Sequence, residues 1–149
     1  MRSDADRIAQ AASSLALTSD EAQASDIADR WARVAASASS LDAWVVRERR
    51  SAGLTFGETA ILTDASPLLD DLYWEAAEIA RRVGTSSADQ AVLAARAQSV
   101  VRTASAVARL IDPLTACREA ERFVSYSPHP ACETLDPEFQ YAMSGACVQ

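Results

Sequence analysis

The amino-acid sequence predicts an all-α protein, an antiparallel four-helix bundle of three long helices and a short N-terminal one with an irregular C-terminal tail. Ala is the commonest of the 149 residues, whereas Gly occurs four times and Pro five times. Ala loses no side-chain entropy in a helix, and few breakers interrupt the chain. Four stretches also repeat apolar residues at alternating spacings of three and four, and each such stripe must be buried against another helix.

The first two helices are each predicted from a capping signal followed by an apolar stripe. Ser3 and Thr18 are each followed three residues later by an acidic residue, as in a capping box. We therefore expect a short helix over about 4–17 and a long helix that starts after Thr18 and reaches about Arg50. Their apolar stripes are Ile8, Ala12 and Leu15 in the first helix, and Ile27, Trp31, Val34, Ala38, Leu41 and Val45 in the second.

The third helix is predicted to begin late, because residues 51–65 show no sustained apolar period. They are expected to form a connector with a single helical turn after Thr55. Ser66 is then the predicted N-cap, and Pro67 is the predicted first helical residue, a position where the missing N–H of proline costs no hydrogen bond. The resulting helix is expected over about 67–83. Its stripe is Leu69, Leu72, Ala76, Ile79 and Val83.

The fourth helix has the cleanest period in the sequence. The helix is predicted to start at Ser86, because the acidic residue three positions later completes a capping box. Pro113 is expected to kink or restart the helix, which then ends near Val124. Residues 1–124 are therefore predicted as the bundle, and 125–149 as an extended tail that packs on it. The stripe is Leu93, Ala97, Val100, Ala104, Val107 and Ile111, and its length predicts that helices two and four form the core pair.

The charge balance limits the classes of partner. The net charge is −7, which repels the phosphate backbone of nucleic acids, so no nucleic-acid partner is expected. The apolar runs are too short to cross a membrane, and the N-terminus lacks the apolar core of a signal peptide. A cytoplasmic location is therefore predicted. All basic residues are Arg, and Lys and Asn are absent, a composition typical of a GC-rich bacterial genome.

The densest carboxylate group lies on the third helix. Asp71, Glu75 and Glu78 fall on one helical face, where acidic oxygens could hold a divalent ion. The Glu75-x-x-Glu78 pair resembles half of the acidic motif of all-helical nucleotide pyrophosphohydrolases of the MazG kind. The second half of that motif is missing, and Arg82 lies one turn beyond Glu78 and can pair with it. A solvated, salt-bridged face is the preferred interpretation, and a metal-dependent hydrolase is the alternative.

All three cysteines and the single histidine lie in the last third of the chain. Cys117, His129, Cys132 and Cys147 could together complete a tetrahedral zinc shell. Cys117, however, falls on the apolar side of its helix, where a free thiol acts as a small core residue. A disulfide between Cys132 and Cys147 is a further alternative under oxidising conditions. Ordinary thiols are preferred, so no metal and no cofactor is predicted.

Two tryptophans point to a contact surface. Trp44 and Trp74 project away from the apolar stripes of their helices, and large aromatic side chains on polar faces are typical anchors of protein interfaces. The predicted partner-binding residues are Trp44, Trp74, Asp71, Glu78 and Arg81, along the outer faces of helices two and three. Cover by the chain's own connector or tail is the competing interpretation.

The predicted function follows from these features and from the absence of any nucleophile or phosphate-loop motif. We expect a non-enzymatic interaction module that binds another protein, or a second copy of itself, through helix faces. The alternative is the metal-dependent enzyme acting on nucleotides at the carboxylates of helix three.

Overall fold

The computed structural model describes residues 4–16, 24–83, 90–121 and 132 of the chain. Within these ranges there are four helices and no strand. They are α1 (Asp4–Ala16), α2 (Ala24–Arg49), α3 (Phe56–Arg82) and α4 (Gln90–Glu121). The predicted all-α bundle, with one short and three long helices, is therefore confirmed.

The four helices pack in a ring that follows their order in the chain. The most extensive contact joins α2 to α3, followed by α3 with α4, α4 with α1, and α1 with α2. The two remaining pairs, α1 with α3 and α2 with α4, lie across the diagonals of the bundle. The prediction that α2 and α4 form the core pair is therefore wrong. A long apolar stripe ensures that a helix is buried, but it does not select the neighbour.

The core is built from the predicted stripes of all four helices. The stripe of every helix lies inside, apart from Val83, which is half-buried at the end of α3. Burial of this apolar surface is the main favourable term in folding. The largest fully shielded side chains are Leu62, Leu69, Leu72, Ile79, Ile111, Leu114, Val45, Val100 and Val107.

Helix α3 begins eleven residues earlier than the predicted Pro67 start, at Phe56. Thr55 is its N-cap, and the Thr55 hydroxyl accepts a hydrogen bond from the Glu58 backbone N–H at 3.1 Å. Pro67 lies inside the helix, and the Ser66 hydroxyl donates to Asp42 Oδ1 of α2 at 2.8 Å instead of capping a helix. An internal Pro costs about 3 kcal/mol. Burial on both sides of it offsets this cost, through Gly57, Leu62, Ala65 and Leu69.

Helix α4 also passes through its proline. It continues from Gln90 to Glu121 with Pro113 inside it, so the expected restart does not occur. Ile111 and Leu114, on either side of the proline, are buried in the core. The Thr115 hydroxyl donates to the Ile111 carbonyl at 3.2 Å. Tertiary packing thus holds a helix that its local sequence would interrupt.

The structure bears on two further sequence predictions. Among the described residues, none of the helices combines the length and the apolar character that crossing a membrane requires. Of the predicted tail, 125–149, only Cys132 is described, and it packs against the bundle core. The rest of the predicted tail lies outside the described residues.

Candidate functional site

Four of the five predicted partner-binding residues share one side of α3. Asp71, Trp74, Glu78 and Arg81 follow one another at spacings of three and four, which places them in one line along a helix. The opposite side of α3 carries its buried stripe. We call these four residues the α3 outer face. The helical period of the sequence was sufficient to predict that these four residues share one face of the helix.

Trp74 is the dominant side chain of the α3 outer face. Its exposed fraction is 64%, and Tyr73 is its aromatic neighbour, with ring centroids 5.3 Å apart in an edge-to-face arrangement. Among the described residues only Phe56, at 75%, is a more exposed large apolar side chain. The prediction that Trp74 leaves the apolar stripe of its helix is therefore correct.

Two arginines hold the Glu78 carboxylate in place. Arg81 makes two hydrogen bonds to it, of 2.7 Å from Nη2 and 3.0 Å from Nε, and Arg82 approaches from the next position. The hydrogen bond from Arg81 is the main reason that the pKa of Glu78 falls from 4.5 to about 2. The same pairing raises the pKa of Arg81. The face beside Trp74 is therefore a fixed ion-pair cluster.

We expect the Glu78 carboxyl to titrate at about pH 2. Because its pKa is lowered in the folded state, its contribution to stability is present above its ordinary pKa and is lost as the pH falls toward 2. The difference in unfolding free energy between the native protein and Glu78→Gln should therefore shrink over that interval. Carboxyl-carbon NMR measures the titration directly, and a Glu78 pKa near 4.5 would contradict the ion-pair geometry.

Trp44 has a different environment from Trp74. It is half-buried, packs against the core, and carries the Arg118 guanidinium over its ring at 5.8 Å from the centroid. Arg118 also pairs with Glu48 of α2 and, at 3.4 Å, with Glu58 of α3. Arg118 thus joins the ends of three helices and covers part of Trp44. The chain itself supplies this cover from α4. The predicted tail, which was a competing source of cover, lies outside the described residues apart from Cys132.

Trp44 lines a groove that the sequence did not predict. The groove lies between α1, α2 and α4 and has a volume of about 1380 Å³. Its lining includes five arginines against three carboxylates, an excess of positive charge on a protein of net charge −7. A signal for it was present in α2, where polar residues and Trp44 follow a second stripe beside the buried one. That stripe is Arg30, Arg33, Ser37, Ser40, Trp44 and Arg47.

Two of the three carboxylates of the alternative metal site, Glu75 and Glu78, are turned toward arginines. Glu78 is bound by Arg81 and Arg82, and Glu75 Oε2 lies 3.6 Å from Arg96 Nη1 of α4. Within the described ranges, no group of three metal-ligating side chains comes together. The preferred interpretation of a salt-bridged face therefore fits Glu75 and Glu78.

The cysteine predictions need a correction. Cys117 is buried as predicted, but it is not a free thiol, since it forms a disulfide with Cys132. A zinc site that uses these two thiolates is incompatible with the bond, and the alternative pairing of Cys132 with Cys147 does not occur. His129 and Cys147 lie outside the described residues. Disulfides are rare in cytosolic proteins, so this bond counts against the predicted cytoplasmic location.

Comparison with known proteins identifies no relative. No protein-family model, no curated protein and no solved structure matches the chain.

Proposed function

We propose that this protein is a non-enzymatic binding module that contacts another protein, or a second copy of itself, through the α3 outer face. The exposure of Trp74, at 64%, carries the proposal. A tryptophan presents more apolar area than any other side chain, and its contact with water is unfavourable. An interface that covered Trp74 would remove this unfavourable contact between the indole ring and water.

The setting of Trp74 supports a protein partner. Arg81 and Glu78 make two hydrogen bonds to each other one turn beyond the ring, so their polar groups are already paired with each other. Interfaces commonly surround a central aromatic anchor with a polar rim, and ordering the rim in advance lowers the entropic cost of binding. Asp71 is exposed one turn before Trp74 and extends this rim. The face therefore has an anchor and polar groups on both sides.

Trp44 has a smaller part in this proposal than the sequence predicted. Its ring is half-buried and lies beneath Arg118, on the side of α2 that faces the groove. We therefore assign the anchor role to Trp74 alone. Truncation of Trp44 would remove core packing as well as surface, so it is a poor probe of binding.

Trp74→Ala is expected to weaken association by about 2 kcal/mol, or roughly 30-fold, while leaving the fold intact. A photo-crosslinking amino acid at position 74, introduced into the full chain in its host, should form a discrete adduct. The partner in that adduct is then purified, and its affinity for the native and Trp74→Ala proteins is measured. Melting temperatures of the two proteins should agree closely, because Trp74 is largely outside the core.

Arg102, an exposed residue of α4, is the matched control position. A crosslinker there should give no such adduct, and Arg102→Ala should bind with native affinity. The proposal fails if positions 74 and 102 give the same adducts, or if Trp74→Ala binds the partner as well as the native protein does. It also fails if Trp74→Ala mainly destabilises the monomer, since the ring would then be covered by the chain itself.

A further inference from the structure

We infer that the groove between α1, α2 and α4 is the docking site for the acidic side of α3 in a second copy of this chain. This acidic α3 surface consists of Asp64, Asp70, Asp71 and Trp74, which are all exposed. This inference rests on the proposed function, and it identifies the partner that would cover Trp74 and Asp71, the two residues that the acidic α3 surface shares with the α3 outer face.

The groove has positive charge that the described part of the chain does not neutralise. Arg118 pairs with Glu48, and Arg7 and Arg30 pair with carboxylates on their own helices. Arg33 and Arg47 of α2, in contrast, are exposed and have no ion-pair partner among the described residues. They are fourteen residues apart on one stripe, which separates them by roughly 21 Å along the helix. Within the described residues, the groove therefore has two arginines without an ion-pair partner. Their spacing is comparable to the length of a docked helix.

Helix α3 carries the complementary charges. Asp64, Asp70 and Asp71 are exposed, and none of them has an ion-pair partner within the described ranges. Asp70 and Asp71 lie four and three residues before Trp74, and Asp64 lies two turns before Asp71, so all four are on one side of the helix. Arginine side chains stack on indole rings as well as pairing with carboxylates. A groove with free arginines thus suits both the aspartates and the exposed tryptophan.

The contact must form between two molecules. Helices α1 and α3 lie on opposite corners of the ring, so the groove beside α1 and the outer side of α3 face in different directions. No bending within the bundle can bring them together without unpacking the core. Laying one helix along a groove is a common mode of protein recognition, and complementary charge selects the partner and speeds its encounter.

Charge reversal on each side tests the inference. Sedimentation velocity of the full native chain, from micromolar to millimolar concentration, should show self-association that weakens as salt is added. Arg33→Glu/Arg47→Glu and Asp70→Arg/Asp71→Arg should each associate at least about tenfold more weakly than the native chain. An equimolar mixture of the two variants should recover association, because each reversed surface then meets a reversed partner. Circular dichroism melting of each variant checks that the bundle is folded.

Arg102→Glu/Arg109→Glu is the control, since it makes the same charge change at two exposed α4 positions outside the groove lining. It should associate as the native chain does. The inference is overturned if the native chain stays monomeric at millimolar concentration and low salt. That result is expected if other residues of the same chain fill the groove, or if the groove binds a different protein. It is also overturned if the control weakens association equally or if the mixture stays dissociated. A monomeric chain that still crosslinks to another protein at position 74 would leave the proposed function standing.

Discussion

Leu69→Ala is expected to lower the free energy of unfolding by about 2 to 5 kcal/mol. Leu69 is fully shielded from solvent in α3, the helix that packs on both α2 and α4. Shortening it removes apolar contacts and leaves a cavity that the surrounding side chains fill only in part. Chemical denaturation followed by far-ultraviolet circular dichroism measures the loss.

Val92→Ala is the comparison for this result. Val92 lies on α4 with an exposed fraction of 44%, so its truncation should change the free energy of unfolding by no more than about 0.5 kcal/mol. Similar losses at Leu69 and Val92 would show that the Leu69 side chain is not part of the packed core. A loss below about 1 kcal/mol at Leu69 would lead to the same conclusion.

Loss of the Cys117–Cys132 disulfide is expected to cost about 3 kcal/mol of stability, the value for a closed loop of this length. The two residues are 15 positions apart, and the bond restricts the unfolded chain more than the folded one. Cys132→Ala is the appropriate variant, because it leaves the buried Cys117 side chain in the core. The comparison should be made in a Cys147→Ala background, which prevents a substitute pairing.

The oxidised Cys147→Ala protein is therefore compared with Cys132→Ala/Cys147→Ala by thermal or chemical denaturation. Adding a reductant should lower the stability of the first protein to that of the second and leave the second unchanged. Alkylation of free thiols followed by mass spectrometry reports whether the bond is present. Equal stabilities under oxidising conditions, with the bond demonstrably formed, would contradict the predicted contribution.

The helices could be predicted because their apolar period is a local property of the sequence. The α1 stripe at Ile8, Ala12 and Leu15 is buried as predicted, and α2 ends at Arg49, close to its predicted end. Helix α3 was placed too late, because Ser66 and Pro67 together are a common start signal. Burial of α3 against the other helices outweighs that signal. The local sequence does not show how much of a segment will be buried in the folded protein.

The arrangement of the helices and the site were predicted less completely. Trp74 was correctly placed outside the core, since its position on α3 decides its exposure. The environment of Trp44 depends on Arg118, which is distant in sequence, and on the groove between three helices. The pairing of Cys117 with Cys132 was missed for the same reason. Contacts between residues far apart in the chain follow from the packing order, which a helical projection does not contain.

The ring order of the helices has a consequence for how the chain folds. Helices α2 and α3 share the most extensive contact and are joined only by residues 50–55, so little chain entropy is lost when they meet. The contact of α1 with α4, in contrast, closes a loop that contains the whole of α2 and α3. Early folding should therefore be concentrated in the α2–α3 hairpin, with α1 docking late. On this basis Leu69→Ala should slow refolding as well as lower stability, because its contacts lie in the part of the molecule that forms first.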